Sequence, residues 1–386
     1  MERPHIDRIL GLAPSPAYVV DLGVLRENLA VLDRVQRESG AKILLALKGF
    51  SMWSVFPLLA KTLHGVCASS PWEARLGREE FGREVHSFAA GLKEGDVREL
   101  LATSNHVVFN SFAQLERFRP LWEEAAREGR VSVGLRVNPE HSEGAIPLYD
   151  PCAPRSRLGI RRADFPGRSL AGVDGLHFHT LCEQLFEPLA RTAEAFEEKF
   201  ADLLPRMKWL NLGGGHHITR EGYDVAGLVG LVRHFRGKYG LAVYLEPGEA
   251  VVLGSGVLVG EVLDVVDNGG PIAILDVSVA CHMPDVLEMP YRPPLHRGFD
   301  PGEKPYTYRL AGPSCLAGDV VGDWSFEEPL EVGGRLAFLD QAHYTMVKNT
   351  TFNGIQLPAI CTYEPETGAL TVVRRFEYQD FKRRLS

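Results

Sequence analysis

Short apolar runs and longer amphipathic stretches alternate along this chain from about residue 17 to 250. AYVV (17–20), ILLALKG (43–49), VCASS (66–70), VHSFAAG (85–91), VVFN (107–110), VSVGLRVN (131–138), GLHFHT (175–180), LNLGG (210–214) and VYLEPG (243–248) are rich in β-branched and apolar residues. Each is short and bounded by turn formers, which predicts strands. Between them, stretches such as 24–38, 111–128 and 186–203 carry the spacing of helices. Strand–helix repetition of this kind implies parallel strands. Eight or nine units predict an α/β TIM barrel over residues 14–252, with an open doubly wound sheet as the alternative.

After about residue 252 the texture changes. VLVGEVLDVV (257–266), IAILDVSV (272–279), YTYRLAG (306–312), RLAFL (335–339) and LTVVRRF (370–376) follow one another with turn signals between them and few long helices. Residues 253–386 therefore predict a mostly antiparallel β domain, joined by residues 1–13.

Composition narrows the classes. The 386 residues carry a net charge of −8, which argues against a general nucleic-acid binder. Six cysteines lack CxxC spacing, so neither a zinc site nor a disulfide framework is expected. The first residues, MERPHIDRIL, contain no apolar signal segment, and no apolar run is long enough to span a bilayer. A reduced, cytoplasmic protein without a membrane or nucleic-acid partner is the simplest expectation.

Chemistry concentrates at the predicted strand ends. Lys48 closes the apolar run ILLALKG, at the rim where barrel enzymes place their reacting groups. Burial there would free its amine for a Schiff base, although a lysine leaving the core into water fits equally well. Gly213, Gly214 and Gly215 follow a strand and could cradle a phosphate with their N–H groups, or could simply form a tight turn. Glu246 ends a strand before Pro247 and Gly248. His177 and His179 alternate along one face of GLHFHT, and one imidazole could stack on a flat cofactor. No third metal ligand lies near them in sequence, so no metal is expected. Cys315, Asp319 and Asp323 fall in one glycine-rich loop, Tyr344 and Asn353 in another.

Taken together, NPEHSEGAIPLYDPCAPRSRLGI, GLHFHTLCEQ, LNLGGGHHIT, CHMPDVLEMPYRP, GPSCLAGDV and TTFNGIQLP resemble the fold-type III pyridoxal-phosphate (PLP) decarboxylases, among them the ornithine, diaminopimelate and arginine decarboxylases. The likeness is strongest to the carboxynorspermidine/carboxyspermidine decarboxylase group and covers nearly the whole chain. It implies an alanine racemase-like barrel plus β domain and PLP as cofactor. It also implies release of CO2 from a carboxylated polyamine, giving norspermidine or spermidine. Lys48 would hold the cofactor covalently, and His179 would stack on its ring. Glu246 would pair with the pyridine nitrogen. Arg157, the three glycines and Tyr344 would hold the phosphate side. Cys315 would donate a proton in the neighbouring subunit's site, so a homodimer is implied.

Two positions depart from the ornithine decarboxylase pattern. Glu249 stands where that pattern has a phosphate-binding arginine, so it is expected to face the substrate. Leu316 replaces the acid that follows the cysteine in several relatives. Asp285, Glu288 and Asp319 then become candidate partners for the substrate's ammonium groups. Diaminopimelate or ornithine decarboxylation is the alternative activity, and a non-catalytic PLP carrier a more distant one that the second domain argues against.

Overall fold

Eight parallel strands close a ring within Asn28–Val251 of the computed structural model, which describes residues 5–144 and 146–386. In ring order they are Lys42–Ala46, Gly65–Ala68, Glu84–Phe88, His106–Phe109, Ser132–Asn138, Gly175–His177, Trp209–Asn211 and Ala242–Leu245. Tyr244 and Leu245 pair with Lys42 and Ile43, which joins the last strand to the first and excludes the open sheet. Strand Lys42–Ala46 is buried beyond Lys42, as expected for a parallel strand covered on both faces. The helices that follow start on polar caps. Ser70 accepts the Glu73 N–H, Ser111 the Gln114 N–H and Asp224 the Gly227 N–H, satisfying donors that a helix start leaves unpaired. Helix Phe186–Phe200 buries Leu189, Ala193, Phe196 and Phe200, spaced as one helical face.

The residues up to Glu27 and Val252–Ser386 form the other unit, an eight-stranded sheet. Its long strand Gly256–Asp267 pairs antiparallel with Ala17–Asp21, Pro271–Leu275 and Arg335–Leu339. Two pairings are parallel, Ala17–Asp21 with Ala359–Glu364 and Pro271–Leu275 with Tyr306–Ala311. The fold class read from the sequence is the one observed. One strand changes place. AYVV forms a strand, but its partners lie in this sheet rather than in the barrel. All five of its residues are buried, so its composition matches a barrel strand, and only the ring's closure by eight others decides the matter. Val320–Phe326, read as part of a glycine-rich loop, is a strand carrying buried Trp324 and Phe326. Among the described residues no helix is long and apolar enough to cross a membrane.

Candidate active site

Past Ala46 the chain turns back. The Gly49 and Phe50 N–H groups both donate to the Ala46 carbonyl, at 3.0 and 3.2 Å. Lys48 is exposed on this turn. Of the two readings open for Lys48, the one with its head in water is found, because the strand ends two residues before it. The Ala46 N–H donates to the Pro247 carbonyl at 3.0 Å, and a Cβ on Gly49 would lie 3.2 Å from the Gly248 Cα. Two small residues thus let the Lys48 turn meet the turn that follows Glu246.

Glu246 is an ionised carboxylate held in place. Its Oε1 accepts from Asn211 Nδ2 at 2.7 Å, and its Oε2 lies 3.3 Å from His177 Nε2. Burial pushes this carboxyl up, but His177 beside it and the hydrogen bond from Asn211 hold it down to about 2. Asn211 also accepts the Gly213 N–H at 2.8 Å, so one amide ties the acid to the glycine turn.

His179 sits on the same rim, one strand away. Its Nδ1 accepts the Gly214 N–H at 3.0 Å, which leaves the proton of the neutral ring on Nε2. Burial, then the charges of Lys48 and Arg136, push this imidazole well below its usual pKa. Arg136 anchors the residue by donating to the His179 carbonyl at 2.9 Å.

All three glycines are required by close approach. A Cβ would fall 2.4 Å from the Phe178 carbonyl oxygen at Gly213, 2.0 Å from that of Glu246 at Gly214 and 2.0 Å from that of Leu181 at Gly215. The predicted cradle of three N–H groups is narrower than the sequence suggests. Gly213 and Gly214 give theirs to Asn211 and His179, and only Gly215 keeps an N–H without an acceptor among the described residues.

Arg157 is exposed, and its charge contributes to lowering the Arg136 pKa to about 10, an effect dominated by burial. Glu249 is half-buried, with Oε1 3.1 Å from His217 Nε2.

The remaining candidates belong to the sheet unit. Cys315 is exposed, and its N–H donates to Asn353 Oδ1 at 2.8 Å. Tyr344 is half-buried at a positive φ of 48°. Asp319 has a structural part to play. It is buried and accepts from Ser278 Oγ (2.9 Å), Val279 N (2.7 Å) and Ser314 N (3.1 Å), which fixes its carboxylate. Asp285 and Glu288 both pair with Lys348, so a substrate ammonium would have to compete with that lysine for them.

Sequence reasoning passed over Arg136, Asn211, His217 and Glu73. Arg136 was detectable, since it alternates with Leu135 and Val137 and so faces the barrel interior. Glu73 Oε2 accepts the Ser69 N–H at 2.6 Å, and burial pushes its carboxyl up while the Lys48 charge opposes this. Nothing in its local sequence marks it.

The buried imidazoles set a pH dependence. Burial lowers His86, His177 and His179, and takes His106 to about 2, His216 to about 3 and His282 to about 4. The unfolded chain binds protons on these groups below about 6.5 where the folded chain does not, so stability is lost as pH falls through that value. Each such group contributes about 1.4 kcal/mol per pH unit in its window. Glu246 acts lower, its contribution being lost from 4.5 down to about 2. The thermal midpoint is expected to fall clearly between pH 7 and pH 5, and a flat profile would contradict the neutral assignments.

A family model described as pyridoxal-dependent decarboxylase, C-terminal sheet domain, matches residues 17–342. The chain belongs to the pyridoxal-dependent decarboxylases. It is 42% identical to the carboxynorspermidine/carboxyspermidine decarboxylase of Campylobacter jejuni, over 96% of this chain and 98% of that one. It is 41% identical to the carboxyaminopropylagmatine decarboxylase of Synechocystis, over 100% and 98%. The crystal structure of the Campylobacter jejuni carboxynorspermidine decarboxylase with norspermidine superposes with a TM-score of 0.89, at 42% identity and coverage of 96% and 99%.

Like its family, this decarboxylase uses pyridoxal phosphate, and the rim fits that group. A side-chain-free glycine turn, an ionised acid at a strand end, a neutral fixed imidazole and an exposed lysine share one end of one barrel. Gly214→Ala is expected to destabilise the protein by about 1–3 kcal/mol or more through overpacking against the Glu246 carbonyl. Thermal unfolding with and without cofactor measures this, and an unchanged midpoint would show that the turn yields.

Proposed function

We propose that this chain decarboxylates carboxynorspermidine and carboxyspermidine, giving norspermidine and spermidine for polyamine synthesis. The Glu246 carboxylate, held ionised between His177 and Asn211 at the same rim as Lys48, carries the reaction class. The Campylobacter jejuni relative supports the substrate.

When bound, pyridoxal phosphate supplies a protonated ring that takes up the electron pair left by departing CO2. Lys48 Nζ would hold the cofactor covalently. Glu246 keeps a proton on the ring nitrogen, and Asn211 and His177 keep Glu246 aimed. His179, its plane fixed by the Gly214 N–H, would face the ring. Gly215 N–H and Arg157 would bind the phosphate. Glu249, oriented by His217, meets a substrate ammonium. Cys315 completes the site of a neighbouring copy in a homodimer and returns a proton to the carbon that has lost CO2. Free thiols at all six cysteines suit the cytoplasm.

A second substrate reading has support of equal weight in the Synechocystis relative. Carboxyaminopropylagmatine ends in a guanidinium where the polyamines end in an ammonium. Turnover of carboxynorspermidine, carboxyspermidine, carboxyaminopropylagmatine and diaminopimelate, compared as kcat/KM, separates the readings. The first two are expected to lead. A lead for the guanidinium substrate selects the second reading, and one for diaminopimelate overturns both.

A further inference from the structure

The N-terminal rim of the barrel, at the opposite strand ends from Lys48, gathers side chains that decarboxylation does not use. Glu84 and His86 are two apart on one strand and share a face. His106 opens the next strand and is the register partner of His86. Around the Glu84 carboxylate stand His64 Nε2 at 2.9 Å, His86 Nε2 at 3.0 Å, Tyr244 Oη at 3.2 Å and Lys42 Nζ at 3.4 Å. The His86 and His106 rings stack with centroids 3.8 Å apart.

Two atoms do not fit a closed network. His86 is only 2% exposed, yet its Nδ1 has no hydrogen-bond partner, and neither has the buried Nδ1 of His106. Buried polar atoms left unpaired are costly and call for an explanation. One ligand atom each from Glu84, His86 and His106 lies within 4.8 Å of the other two.

We propose that Glu84, His86 and His106, with His64 as fourth ligand, bind one divalent ion of the zinc class. Imidazoles plus a carboxylate are the donor set zinc takes, and burial keeps His86 and His106 in the neutral form that has a lone pair to give. Tetrahedral zinc places its ligand atoms about 3.3 Å apart, so binding draws the set inward and unstacks the two rings. Lys42 now neutralises Glu84 from one side. Its side chain is 36% exposed, so it moves into water when a dication takes over that charge. The ion ties strands Glu84–Phe88 and His106–Phe109 to the residue that precedes strand Gly65–Ala68. Its place at the strand starts, away from the turn that carries Lys48, makes it a brace rather than a catalyst.

The test uses the PLP-loaded enzyme, freed of metal by a chelator and then titrated with Zn2+ by calorimetry. One ion per chain is expected, with a raised thermal midpoint. Co2+ in its place is expected to show the visible absorption of a four-coordinate ion. H86A/H106A should weaken Zn2+ binding by at least about tenfold, and K42M should tighten it, because the competing ammonium is gone. Absence of stoichiometric binding overturns the proposal, as does equal affinity in H86A/H106A. If that double variant does not fold, K42M and the Co2+ spectrum decide. Binding no tighter in K42M than in the wild type, or a six-coordinate spectrum, overturns it.

Discussion

Lys48→Ala is expected to lower turnover by about 10²–10⁴-fold or more, the range for loss of a group that moves protons in the transition state, with the covalent cofactor link lost in addition. The absorbance of the lysine-bound cofactor should vanish, while added pyridoxal phosphate still binds through the glycine turn and Glu246. The fold should scarcely change. Lys48 is exposed on a turn whose hydrogen bonds are made by the backbone of Ala46, Gly49 and Phe50, and such surface changes usually fall within about 0.5 kcal/mol. An unchanged thermal midpoint with lost absorbance is therefore the diagnostic pair. Retained absorbance in the variant would remove Lys48 from its role.

Glu246→Gln is the second large effect. The amide keeps the volume and can still accept from Asn211, but it carries no charge. The ring nitrogen then loses the group that keeps its proton, and the electron sink weakens where the transition state depends on it. A loss of about 10²–10³-fold in kcat is expected, the size seen for removing one preorganised electrostatic contact. KM should move far less, since the contact acts mainly in the transition state. A variant with normal kcat would assign the carboxylate a purely structural place beside His177.

The pattern of the sequence carried much of this site. Lys48 and Glu246 stand out because each ends an apolar strand run, and the glycine triplet because it follows one. What it left hidden was the destination of hydrogen bonds. Nothing in LNLGGGHH says that Asn211 and His179 take two of the three glycine N–H groups. Asp319 looked available in a glycine-rich loop, yet it caps the helix start at Ser278–Val279 from across the sheet unit, forty positions away in sequence. Asp285 and Glu288 stood out as acids for an ammonium, but nothing in their stretch shows that Lys348, some sixty positions on, pairs with both. AYVV was legible as a strand but not as a member of either sheet, because a buried run has the same composition in both. Glu73 owes its environment to burial, which no local spacing announces.

The position of Ala17–Asp21 has a consequence for how the chain is made. Its edges are filled by Gly256–Asp267 and by Ala359–Glu364, Ala17 pairing with Val259 and with Ala359. During synthesis the strand leaves the ribosome early and waits, while all of Asn28–Val251 is produced, before either partner exists. A barrel can close in that interval, but a mostly apolar strand with two open edges cannot be satisfied, and such edges invite pairing with other chains. The sheet is thus a slow, long-range step. Yield in a foreign host should depend more on holding this early strand out of trouble, by low temperature or chaperones, than on the barrel that carries the chemistry.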